Sequence, residues 1–126
     1  MTLAMRLIIG LVGLFNAAIG LMFLVNPAKM AADFFLSPVG SQGLATVRAD
    51  MPAFFLVGGL FALLGALRTD PAPLKVPLLL LAIALFGRTV SLIADGTAPT
   101  AYPPMIVEAV MIVLLLVGQR VFARAR

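Results

Sequence analysis

Residues 87–108 read GRTVSLIADGTAPTAYPPMIVE, and how this stretch is read decides the fold. It follows the apolar run Leu78 to Phe86 and opens another, so it contains the end of one helix, a turn and the start of the next. Arg88, Ser91 and Asp95 stand three and four residues apart, the spacing that puts side chains on one face of a helix. Asp95-Gly96 is a helix-stop signal, and Pro103-Pro104 starts the following helix, with Glu108 about one turn in. A charge at the middle of a membrane-spanning helix costs about 2.5 to 3.5 kcal/mol on insertion scales. Arg88 and Glu108 are therefore expected to turn inward, at similar depth on neighbouring helices, and pair.

Two more apolar runs precede these, and the four spans cover about residues 5–25, 44–67, 74–94 and 105–122. Each suits a hydrocarbon core of about 30 Å. The first run is longer than the apolar region of a signal peptide, and no clean small-residue cleavage site follows it. Asn26-Pro27 reads as an N-cap with proline at the first helical position. It opens a short interfacial helix, Ala28 to Leu36, with Met30, Phe34 and Phe35 toward the bilayer interface and Lys29 and Asp33 outward. The second span leaves two readings open. Either its helix begins at Ser41 and kinks at Pro52, or its spanning part begins at Asp50 with Pro52 in the first turn. Arg68 to Pro73 is too short for anything but an antiparallel return. The expectation is one all-α domain over residues 1–126, an integral membrane antiparallel four-helix bundle.

Composition agrees. Hydrophobic residues make up 63% of the 126 and charged residues 11%, against roughly 25% charged in a soluble domain. The net charge of +4 could suggest nucleic acid, but Arg6, Arg68, Lys75, Arg120, Arg124 and Arg126 lie at the ends of apolar runs. That is where a membrane protein keeps its cytoplasmic charge, so membrane lipid is the expected partner and nucleic acid is not. These six face Lys29 and Arg48 on the other side, which predicts cytoplasmic termini. Cysteine and histidine are both absent, leaving no disulfide, thiolate site, or imidazole ligand or base. Hence no metal, cofactor or enzymatic activity is expected, and the methionines read as packing rather than copper ligands.

The orientation gathers scattered polar residues into the outer half. Arg48 and Asp50 open the second span, Asp95 closes the third, and Arg88 lies about 10 Å below it. Glu108 is one turn into the fourth span and Asn16 is at comparable depth or slightly deeper. The expected site is Asn16, Arg48, Asp50, Arg88, Ser91, Asp95 and Glu108, with Arg48 left to Asp50 or Asp95. Two roles follow. The cluster can bind a small polar or amphipathic molecule or a lipid headgroup, since Arg offers a carboxylate two parallel hydrogen bonds. Alternatively the ions serve assembly alone, in a structural or accessory subunit that forms a homo-oligomer or joins a membrane partner protein. The small-residue stripes Gly10, Gly13, Ala17, Gly20 and Gly58, Ala62, Gly65 or Ala66 would then be the contact.

Phe15-Asn16 to Pro27, Val47-Arg48-Ala49-Asp50, Gly87-Arg88, Asp95-Gly96 and Pro103-Pro104 to Glu108 together resemble an uncharacterised family of small bacterial four-span membrane proteins, known as a domain of unknown function. The resemblance spans nearly the whole chain and implies a bacterial cytoplasmic membrane without implying an activity. More distantly, the glycine-rich first span and the proline after it resemble DoxX-like membrane proteins. That likeness implies association with respiratory or quinone-linked complexes.

Overall fold

A computed structural model describes residues 1–126. Five helices follow in order: α1 (Thr2–Val25), α2 (Pro27–Asp33), α3 (Gly40–Arg68), α4 (Lys75–Ala94) and α5 (Tyr102–Arg124). Single 3-10 turns at Ala72–Leu74 and Pro99–Ala101 introduce the last two. α1, α3, and α4 and α5 with their leading turns are each long and apolar enough to cross a membrane, so the chain is an all-α, multi-pass bundle. Around it, α1 packs beside α3 and α5, and α4 closes the ring between α3 and α5. Both termini and the α3–α4 turn lie at one end. The short helix α2, packed on α1 and α3, lies at the other with the α4–α5 connection.

The second span follows the first of its two readings to within a residue at its start, and the short helix ends earlier than expected. α3 is one unbroken helix from Gly40, with Pro52 inside it; the proline removes the N–H that would bond the Arg48 carbonyl. At 29 residues it is about 43 Å long, well over the hydrocarbon core. Asn26 does cap α2, its side chain accepting from the Lys29 N–H at 3.5 Å, and Pro27 is the first helical residue. The helix stops at Asp33, short of Leu36, in a left-handed cap: Phe35 has φ of 61°, and the Leu36 N–H bonds the Ala31 carbonyl at 2.7 Å. Met30 is buried and Phe34 packs inward, so of the three residues assigned to the interface only Phe35 points away.

The tightest seam joins α1 to α3. A methyl group built on Gly59 would stand 2.6 Å from the Gly13 carbonyl oxygen and 2.7 Å from the Ala17 nitrogen. Only hydrogen fits where the backbones come this close. The glycine that meets α1 is thus Gly59; Gly58 faces Pro77 and Leu80 of α4. Gly10, grouped with the stripe by spacing, has nothing within 4 Å.

The termini end is closed by a dense core, with Ile9, Leu74, Leu115 and Phe122 fully buried among Met5, Ala62, Ala66 and Val121. Polar ties finish it. The Arg6 Nε donates to the Ala66 carbonyl at 2.9 Å, satisfying a group that the last turn of α3 leaves free. Arg126 pairs with Asp70 at 2.9 Å, and Asp70 accepts the Ala72 N–H at 3.0 Å, which fixes the turn.

A candidate ligand cleft at the α2 end

At the α2 end the bundle opens. No residue of α4 beyond Leu81 is buried, because this half of the helix carries Gly87, Arg88, Thr89 and Ser91 where the other half carries leucines. Phe23 of α1, Phe34 after α2 and Phe55 of α3 fill part of the space as a cluster, their ring centres 5.0 to 5.9 Å apart. Phe54 stacks edge-on against Phe55. Such contacts hold α2 down on the bundle, each worth about 0.5 to 1.5 kcal/mol beyond area burial.

Between this cluster and α5 lies a cavity of about 180 Å³, lined by Phe15, Ile19, Phe55, Leu81, Arg88 and Glu108 among others. A second cavity, of about 250 Å³, opens beyond it at the bundle's end, between Phe34, Phe35, Arg88, Ser91 and Thr100. The two share Phe34, Arg88 and Pro104 as a common wall. Each alone falls below the roughly 300 to 1,000 Å³ of small-molecule sites, and only their summed volume lies within it.

Arg88 and Glu108 pair as their spacing predicts, Nε to Oε1 at 2.8 Å. The contact is ionic more than directional: the N–H does not aim at the oxygen, and neither atom has a well-formed hydrogen bond although both are sealed from solvent. The Glu108 side chain is 11% exposed and that of Arg88 is 40% exposed. The guanidinium thus reaches from its buried partner into the outer cavity, and neither Nη makes a hydrogen bond.

The other expected members disperse. Arg48 and Asp50 are exposed and take part in no ion pair, so neither joins the cluster. From Arg68 back to Arg48 a helix climbs about 30 Å, which puts Arg48 at the membrane boundary, where charge needs no partner. Asp95, also free of Arg48, accepts the Ser91 hydroxyl at 2.6 Å. Ser91 lines the outer cavity beside Arg88. Asn16 is buried as expected but bonds no charge: its amide donates to the Val12 carbonyl at 2.8 Å and to the Met111 sulfur at 3.3 Å. It ties α1 to α5 one turn below Glu108. No three acidic side chains converge to hold a metal. Sequence reasoning missed the aromatic wall; the Phe34-Phe35 and Phe54-Phe55 doublets were the available signal.

A family model described as "Domain of unknown function (DUF4345)" matches residues 4–119 of the chain. No curated protein and no solved structure matches it.

Proposed function

The chain belongs to the DUF4345 family, and from that premise we propose that it is a binding protein of the bacterial cytoplasmic membrane. Its cleft takes up a small polar or amphipathic ligand, and its work is binding rather than catalysis. The termini end is cytoplasmic, which follows from six basic residues at that end against Lys29 and Arg48 at the other. The cleft then opens on the outer face.

One observation carries the reading: the Arg88 guanidinium stands between two cavities with its Nη donors unspent. A cluster kept for assembly alone would be expected to turn both charges fully onto each other, whereas the Nε and Oε1 that meet here are buried without a well-formed hydrogen bond and the rest of the guanidinium faces the outer cavity. The alternative of a structural subunit docking through glycine stripes has less surface to use. Gly13, Ala17 and Gly20 already meet α3 within the chain, leaving Gly10 open.

Exchanging the charges separates the two readings. Native mass spectrometry of the mildly extracted protein should detect a retained small molecule. The variant Arg88→Glu/Glu108→Arg should keep the fold, judged by thermal unfolding in detergent, and lose that mass. A wild-type chain that retains nothing, or a swapped chain that retains the same mass, overturns the reading.

A further inference from the structure

Resting on that reading, we propose that the ligand is an acyl chain with an anionic head. Its head lies on the free edge of the Arg88 guanidinium, and its chain leaves the bundle into the bilayer between α1 and α5. A third space adjoins the inner of the two cavities. A groove of about 420 Å³ runs between α1 and α5, lined only by apolar side chains. It shares Phe15, Val107 and Met111 with the inner cavity, just as the inner cavity shares Phe34, Arg88 and Pro104 with the outer one.

The three spaces therefore form a series, polar at the bundle's end, ionic and aromatic in the middle, and wholly apolar at the lipid-facing flank. An amphiphile has the same series along its length. The sign of the head follows from the donors left over. Glu108 occupies the Nε side of the guanidinium, so the side still open carries N–H donors, which suit a carboxylate or phosphate oxygen and repel a cation. The chain follows from the groove, which offers a soluble anion no contact it could use. Phe15 stands where inner cavity and groove meet, and a larger ring there should narrow the passage.

The test uses the full chain in phosphatidylcholine nanodiscs with radiolabelled palmitate, hexadecanol and acetate, corrected against protein-free discs. Palmitate should bind saturably and about ten- to a hundredfold more tightly than hexadecanol, the ratio expected of a charge-assisted hydrogen bond. Acetate should not bind measurably. Because Arg88→Gln alone leaves Glu108 unpaired, the neutral double variant Arg88→Gln/Glu108→Gln is the control for folding, and it should bring palmitate down to the level of hexadecanol. Phe15→Trp should weaken both long-chain probes together. Competition by dioleoylphosphatidylglycerol distinguishes sources: displacement of palmitate at a lower mole fraction identifies a lipid headgroup, and failure to displace it identifies a free acid. Equal binding of palmitate and hexadecanol, or palmitate binding unchanged in the double variant, overturns the proposal. If neither long-chain probe binds while native mass spectrometry still shows a retained molecule, the anionic amphiphile is wrong and the cleft reading survives. If nothing is retained, both fail.

Discussion

The two ends of this bundle are built from the same four helices and obey different rules. At the termini end large side chains interlock until Phe122, Leu74 and Ile9 are fully buried, and arginines close the helix ends. At the α2 end α4 carries glycine and polar residues, the rings of Phe23, Phe34 and Phe55 take up part of the room, and an ion pair borders what is left. In a bilayer lipid competes for apolar contacts, so close packing rather than water exclusion holds helices together. One end has thus spent its surface on packing while the other leaves surface uncovered.

The seam on which both ends depend gives the largest expected effect. Gly59→Leu sets a side chain against the Gly13 carbonyl and the Ala17 nitrogen, so α1 and α3 must separate. A loss of more than about 3 kcal/mol, or failure to fold, is expected. Gly10→Leu meets nothing within 4 Å and should behave as wild type. Unfolding in mixed micelles at rising SDS fraction measures both, and equal losses would mean that the seam is not where α1 and α3 meet.

Next in size is a contrast between two phenylalanines. Phe122 is 0% exposed and Phe86 is 70% exposed. Phe122→Ala should cost about 3 kcal/mol through the void it leaves, and Phe86→Ala under about 0.5 kcal/mol. Similar costs in the same micelle assay would mean that Phe122 is not enclosed as the core of the termini end requires.

The ion pair comes third, with losses of different size for its two members. Removing Arg88 strands a carboxylate that is almost buried, whereas removing Glu108 leaves an arginine already 40% exposed, whose long stem can carry its charge toward the surface. Arg88→Gln should therefore cost about 2 kcal/mol and Glu108→Gln under about 1 kcal/mol, with the double variant recovering most of the loss. A double-mutant cycle reads this directly. Equal single losses would show that the two side chains are equally enclosed.

Much of this was legible in residue order. The spans follow from apolar length, the Asn26-Pro27 cap from its own chemistry, and the Arg88–Glu108 contact from depth on adjacent helices. Rotation was harder to read. The polar and apolar residues of α3 are spread evenly around the helix, so its periodicity carries almost no information about which face points inward. Consecutive residues Gly58 and Gly59 face different neighbours, and nothing in the letters says which faces which. The same blindness drew Arg48 and Asp50 into the cluster: their position along the helix was right and their direction was not available. Phe34 turns inward because Phe23 and Phe55 offer it ring contacts, and such a meeting of distant segments leaves no local pattern.

Fourth is a gain. Both ends hold a non-glycine residue in the left-handed region, Thr69 at φ of 51° in the α3–α4 turn and Phe35 at φ of 61° beside the outer cavity. Phe35 is 76% exposed, so little packing compensates the strain. Phe35→Gly should stabilise the chain by about 1 kcal/mol in the micelle assay, since glycine carries no penalty there. If the cleft binds as proposed, the same change should weaken retention of a small molecule, because it strips one wall from the outer cavity. A gain in stability with retention unchanged would move the proposed ligand site deeper, to Arg88 and below.

The smallest effect tests the claim that the α2 end is polar for a reason located at Arg88 and not along its whole rim. Arg48 and Asp50 are exposed and unpaired, and Arg48 sits about 30 Å along α3 from Arg68, at the edge of the hydrocarbon. Water and headgroups solvate them there, so neither carries a desolvation cost that a partner must offset. Arg48→Gln and Asp50→Asn should each shift stability by less than about 0.5 kcal/mol, and their effects should add, because there is no contact between them to couple. Ligand retention should not change. A loss of 2 kcal/mol or more for either variant, or a cycle showing coupling to Arg88, would mean that these residues turn inward in the bilayer and that the cluster is wider than the single pair.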